Sequence, residues 1–350
     1  MNLEEIIGQL FILGFKGKSI DKNNPIAADI KHKNLGGVIL FDRLLANKEN
    51  QNNIECPAQV KQLCKSLQNA SSSPLLIAID QEGGMVKRLK SETGFPETES
   101  ADELGKHDDP TRTAIHAAST AETLNKLGIN FNLAPVVDLN IFPDNPVIGK
   151  IKRSFSADPK CVIHHAAIWI EEHRKQNILT CLKHFPGHGS SQSDSHLGFT
   201  DISKSWQKTE LIPFQKLINK AQKIPIDSVM LGHLYHSGLD TQYPTSLSKA
   251  VVGDLLREQL GFQGVIITDD LQMRAITDKY GLEESVCLAL AAGVDMIIVG
   301  NNLEYDPGFL ERVIPEVLRA VKDKRISEDH ICAAWQRICH MKEQIRIEIL

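Results

Sequence analysis

Two adjacent carboxylates, Asp269 and Asp270, close the apolar run GVIITDDLQM. Successive residues of a strand face opposite sides, so one of the pair can look outward from a strand end while the other turns away. A carboxylate placed there can attack or shield a carbon that carries positive, oxocarbenium-like charge, the demand set by cleavage of a glycosidic bond. The other common use of a strand-end Asp is to accept backbone N–H groups of the next turn. A second set lies in LKHFPGHGSSQSDSHLGFT, where Lys183, His184, His188, Asp194 and His196 crowd a Pro- and Gly-bearing loop. Asp194 precedes His196 by two positions, so its carboxylate can accept a proton from one imidazole nitrogen and fix the tautomer of the other. A histidine held this way titrates near neutral pH, where general acid and base catalysis works best. In the third set, IDQEGGMVKRL, Asp80 ends a run and Glu82, Gly83, Gly84 and Arg88 follow. The glycines permit a tight turn, and Asp80 and Arg88 offer an acceptor and a forked donor, either to hydroxyl groups or to each other.

Metal chemistry and phosphate binding fit these sets less well. His184 and His188 are four apart, but Pro186 and Gly187 between them deny the helix that would turn both to one face. The paired glycines are not followed by the GK[ST] of a phosphate loop. No metal and no organic cofactor is therefore expected. His233 and His236 are expected to satisfy loop hydrogen bonds.

The elements that must position these residues are short. Seven apolar, β-branched runs recur: GGVILF at 36–41, LLIAID ending at Asp80, INFNLAPVVD ending at Asp138, ILTCLKHF ending at Phe185, SVMLGH ending at His233, GVIITDD ending at Asp270 and MIIVG ending at Gly300. Runs that are apolar on both faces and alternate with helical patterns are the signature of a parallel sheet built from βα units. The polar sets follow the run ends, which in a (β/α) barrel gathers them at the C-terminal mouth, so a TIM-like α/β barrel is favoured over an open sheet. Residues 248–260 and 282–292 read as amphipathic helices, and a closing helix from Ser327 places Ile331, Trp335, Ile338 and Ile345 near helical spacing. The N-terminal MNLEEIIGQLFILGF reads as a first helix, with Asn2 and Glu5 as a capping box and Ile6, Leu10 and Leu13 on one face.

With 350 residues, 42% hydrophobic and 24% charged, the chain can bury a large core, and a single domain over 1–350 is the simplest organisation. The formal net charge of -5 and scattered Lys and Arg give no basic stripe for nucleic acid or an anionic membrane surface. Seven cysteines, an odd number with no CxxC pair, read as reduced thiols. Without a basic n-region or a long apolar run, the chain is expected in the cytoplasm as a monomer with no membrane partner.

Taken together, GGVILF, IDQEGGMVKR, NFNLAPVVDLN, RSFSADP, KHFPGHG with DSH, PTSLSKAVV, LGFQGVIITDDLQM and AAGVDMIIVG occur in the order used by glycoside hydrolase family 3. The sequence resembles the β-N-acetylglucosaminidase branch that acts on peptidoglycan fragments, and the likeness covers nearly the whole chain. The resemblance implies a retaining hydrolysis of terminal β-linked N-acetylglucosamine, with a small carbohydrate as substrate. It implies Asp269 as nucleophile and His196, oriented by Asp194, as acid/base. It also implies that Asp80, Arg88, Arg153, Lys183 and His184 hold the sugar ring. Met85 after EGG, and Leu44 and Leu45 after FDR, depart from the residues usual in the family. The rival readings are a β-glucosidase or a phosphorylase of the same family, a catalytically silent sugar-binding protein, and a metal-dependent hydrolase.

Overall fold

The apolar runs become the staves of a closed barrel. In a computed structural model describing residues 2–195, 198–219 and 225–345, eight parallel strands pair in sequence order and the last returns to the first. They are β1 (Phe11–Gly14), β2 (Gly37–Leu40), β3 (Leu76–Ile79), β4 (Phe131–Asn132), β5 (Leu179–Phe185), β6 (Ser228–Leu231), β7 (Val265–Asp270) and β8 (Met296–Val299). Nearly every strand residue is buried, because barrel interior and surrounding helices cover both faces. The expected (β/α) barrel is the fold observed.

The N-terminal segment corrects one expectation. The capping box is present, with Glu5 N donating to Asn2 Oδ1 and Asn2 N donating to Glu5 Oε2, but helix α1 spans only Leu3–Gly8. Leu10 and Leu13 therefore leave the helix, and FILG forms β1 between β8 and β2. The physical reason is that LFILG has no polar face to show to solvent, so it fills a stave buried on both sides better than it fills a surface helix.

The remaining helices form the outer layer: α2 (Pro25–His32), α3 (Pro57–Ala70), α4 (Ala101–His107), α5 (Pro110–Leu127), α6 (Pro159–Lys175) and α7 (Ile212–Asn219). They are followed by a π-type helix over Ala250–Gln259, then α8 (Arg274–Thr277), α9 (Leu282–Ala292), α10 (Phe309–Lys322) and α11 (Glu328–Lys342). Ser327 caps α11 by accepting from His330 N, as the closing helix required. One continuous core of Ile, Leu, Val and Phe lies between staves and helices. None of the described helices is long and apolar enough to cross a membrane. All seven cysteines are free thiols.

Candidate active site

The C-terminal ends of the strands deliver the charged residues. Asp80 follows β3, Lys183 and His184 lie within the end of β5, and Asp269 and Asp270 end β7. Together with Arg88, Arg153 and Asp194 they line a cavity of about 390 Å³ at the barrel mouth. Every described residue expected at the site is therefore brought to one place. His196 lies outside the described residues.

The turn after β3 sets the first wall. Gly83 and Gly84 take positive φ of 98° and 57°, and a Cβ on Gly83 would sit 2.1 Å from the Glu99 carbonyl oxygen. Inside the turn, Gln81 Oε1 accepts from Arg88 N at 2.9 Å and Leu89 N at 3.0 Å, which brings Arg88 back beside Asp80. Arg88 Nη2 then reaches Asp80 Oδ2 at 3.1 Å, so the acceptor and forked donor face each other as well as the cavity.

The pair is one end of a chain of buried charges. Lys183, only 2% exposed, bridges Asp80 Oδ1 at 2.9 Å and Glu82 Oε1 at 2.6 Å. Glu82 in turn accepts both prongs of Arg153, Nε at 2.7 Å and Nη2 at 2.8 Å. Arg153 Nη2 lies 3.2 Å from His184 Nε2, and a guanidinium can only donate, so Nε2 is the acceptor. His184 Nδ1–H then donates to Asp138 Oδ2 at 2.7 Å, which fixes the tautomer. Asp138 also accepts from His184 N and from His188 N, tying the segment after β4 to both sides of the KHFPGH loop. Among these groups the carboxylates of Asp80, Glu82 and Asp138 balance the cations of Arg88, Lys183 and Arg153.

Protonation follows from this balance. Burial alone would push the Asp80 carboxyl up, but Lys183 and Arg88 outweigh it and hold Asp80 well below the usual range. Glu82 is likewise held down by Arg153 and Lys183 against its burial, and Asp138 by His184 and His188. Burial disfavours the Lys183 ammonium, yet Asp80 and Glu82 more than offset this and raise its pKa. The result is a fixed array of charges with Asp80 as acceptor and Arg88 and Lys183 as donors at the cavity wall.

The two uses foreseen for a strand-end Asp are divided between neighbours. Asp270 Oδ1 accepts from Gln272 N at 3.0 Å and Gly300 N at 2.9 Å, so this carboxylate caps the turn after β7. Asp269, whose Oδ1 accepts from Asp270 N at 2.8 Å, contributes to the cavity wall. His233 serves the same turn: Nε2–H donates to the Asp270 carbonyl at 3.0 Å and Nδ1 accepts from the Ser246 hydroxyl at 2.7 Å. His236 Nδ1 accepts from Gly238 N, a loop hydrogen bond of the expected kind. His188 is buried with Nε2 3.2 Å from Ser195 Oγ, and burial lowers its pKa to about 4.

Glu82, Asp138 and Asp42 belong to the site although no role was expected of them. Asp42 lines the cavity and accepts from Lys90 Nζ at 2.6 Å. Asp42 and Asp138 stand directly after an apolar run, in LFD and PVVD, the same position that singled out Asp269, and Glu82 follows two residues after the strand-end Asp80. The rim of the cavity carries three large side chains left open to solvent, Met85 at 68%, Leu45 at 44% and Leu303 at 37% exposed.

Residues 2–341 match the glycosyl hydrolase family 3 N terminal domain. The chain belongs to this family. It is 36% identical over 278 residues to a beta-hexosaminidase of Tolumonas auensis, covering 78% of each chain. It is 31% identical over 340 residues to beta-hexosaminidase A of Pseudoalteromonas piscicida, and there it spans 54% of the relative's length. Among solved structures, a glycoside hydrolase family 3 beta-N-acetylglucosaminidase from Paenibacillus sp. str. FPU-7 superposes with a TM-score of 0.88 at 32% identity, over 98% of this chain and 62% of that one. The family 3 chain thus shares barrel and sequence with proteins that carry hexosaminidase names.

Proposed function

We propose that this chain is a retaining exo-β-N-acetylglucosaminidase that removes terminal β-linked N-acetylglucosamine from peptidoglycan-derived fragments. The observation that carries the reading is the meeting in one cavity of Asp269, Asp194, Asp80, Lys183, Arg153 and His184, with Glu82 joining Lys183 to Arg153 behind the wall. The hexosaminidase names of the relatives support the choice of sugar.

In the proposed reaction the Asp269 carboxylate attacks the anomeric carbon while His196, oriented by Asp194, gives its proton to the glycosidic oxygen. The C–O bond to the aglycone breaks, the aglycone leaves as an alcohol, and a glycosyl-Asp269 ester remains. His196 then takes a proton from water, the oxygen attacks the same carbon, and Asp269 leaves as a carboxylate. Two displacements retain the β configuration. Asp80, Arg88 and Lys183 would bind ring hydroxyls, with Arg153 and His184 braced behind them. The apolar rim of Leu45, Met85 and Leu303 suits the C–H face of an aglycone sugar. We further propose one domain acting as a monomer in the cytoplasm, a setting in keeping with seven free thiols.

The test is the anomeric proton of the first-formed sugar, followed by NMR during hydrolysis of a nitrophenyl N-acetyl-β-glucosaminide. The β anomer appearing first is expected. The α anomer appearing first would remove the covalent intermediate, and transfer to added phosphate in preference to water would make the chain a phosphorylase.

A further inference from the structure

Away from the barrel mouth, three potential ligands converge where α4 meets α6. Cys161 and His165 stand one turn apart on α6, and Asp108 is the C-cap of α4. The four-residue spacing that Pro186 and Gly187 interrupt between His184 and His188 here lies on an unbroken helix, so both side chains share a face. One ligand atom from each of the three residues falls within 4.8 Å of the others. His165 Nε2 is 3.1 Å from Asp108 Oδ1, and Cys161 Sγ is 4.0 Å from the same oxygen.

We propose that Asp108, Cys161 and His165 form a site for a zinc-class divalent cation, with water in the fourth position. Zinc bonds of about 2.0 to 2.3 Å at tetrahedral angles separate ligand atoms by about 3.3 to 3.7 Å, so the thiol sulfur, 4.0 Å from Asp108 Oδ1 and within 4.8 Å of the imidazole nitrogen, closes the geometry by moving inward on the order of 1 Å. The set of one thiolate, one imidazole and one carboxylate suits zinc over calcium or magnesium, which take oxygen alone.

The surroundings fit ligation better than a surface ion pair. His165 is fully buried, its ring is stacked 5.5 Å from Phe155, and Nδ1 lies 2.8 Å from the hydroxyl of buried Thr113. Without the ion, Nε2–H donates to the Asp108 carboxylate, which can only accept, and Nδ1 accepts from the Thr113 hydroxyl. On binding the ring changes tautomer, so that Nδ1–H donates to Thr113 Oγ1 and the Nε2 lone pair turns to the metal, as an outer hydrogen bond arranges for a metal-bound histidine. Asp108, with its side chain 71% exposed, leaves an entry path for the ion. Binding replaces the thiol proton of Cys161, which passes to solvent, by the metal, with no change of oxidation state.

The ion would pin α4 to α6 beneath the segment that carries Arg153. Gly105 of α4 lies so close that a Cβ there would be 1.7 Å from the Phe155 carbonyl oxygen, and Phe155 stands two residues after Arg153. None of the three ligands lines the cavity, so the inference is independent of the glycosidase reading.

The test is titration of the full-length, chelator-treated and reduced protein with Co2+ alone. One equivalent should produce a thiolate-to-cobalt band in the near ultraviolet and the visible bands of tetrahedral cobalt, and Cys161→Ser should lose them while Cys332→Ser keeps them. Excess zinc should raise the melting temperature of the parent protein by roughly 5 °C and leave Cys161→Ser unmoved. Circular dichroism of Cys161→Ser before titration confirms that its fold is intact. No thiolate band, equal bands in the parent and Cys161→Ser, or an equal zinc shift in both would each overturn the site.

Discussion

Replacing Lys183 with Met tests whether the buried charges are a balanced unit. Lys183 is 2% exposed and touches Asp80 at 2.9 Å and Glu82 at 2.6 Å, so its removal leaves one uncompensated negative charge among six groups that now cancel. At these separations each lost pair is worth about 6 kcal/mol at an effective dielectric of 20, and the ammonium's own desolvation, several kcal/mol, is no longer incurred. Arg88 and Arg153 still pair with the two carboxylates, so the net cost should fall near 3–5 kcal/mol, the range for breaking a buried pair. The pH dependence has a definite sign. Asp80 and Glu82 are depressed in the folded protein, so they contribute stability above their unfolded values of about 4 and lose it as pH falls through their folded values. Removing the cation raises both, so the penalty should be full at pH 7 and shrink as pH falls below about 4. Urea unfolding of parent and variant at pH 7 and at about pH 3, below the unfolded carboxyl values, reads this directly. A loss below about 1 kcal/mol at pH 7, or one that does not change with pH, would refute the charge balance.

Two further perturbations follow from the same structure. Burial lowers the pKa of His173 from the ordinary 6.5 to about 4, so the unfolded chain takes up its proton first and stability declines as pH falls between those values. Substitution by Gln should flatten that stretch of the stability curve, and a curve parallel to the parent's would contradict the assignment. At Gly300 a Cβ would meet Asp270 Oδ2 at 2.4 Å, so Gly300→Ala should displace the cap of the β7 turn and lower kcat at least tenfold, measured on a nitrophenyl N-acetyl-β-glucosaminide.

The barrel was legible because most staves are continuous apolar runs with a polar residue at the end, a pattern that survives without knowledge of partners. β1 was not, because a four-residue apolar strand directly after a capped helix reads as more helix until the neighbouring strands claim it. Asp80, Arg88, Arg153, Lys183, His184, Asp194 and Asp269 could be named in advance, yet their wiring could not. Spacing along the chain gives no sign that Arg153 would fold back onto Glu82, which lies 71 positions earlier. Asp138 escaped notice for a related reason: a buried acid's value lies in accepting His184 and His188 together, and that appears only when β4 and β5 are adjacent. The split between Asp269 and Asp270 was foreseen as an alternation of faces, while which of them caps the turn depends on the backbone N–H of Gly300 arriving from β8.

The most direct test of the central claim is nitrophenol release from the nitrophenyl β-glycosides of N-acetylglucosamine and of glucose, by the purified protein and by Asp269→Ala. Preference for the acetamido sugar, with turnover falling by several orders of magnitude in the variant, is the predicted result. Undiminished turnover in Asp269→Ala, or preference for glucose, would contradict it.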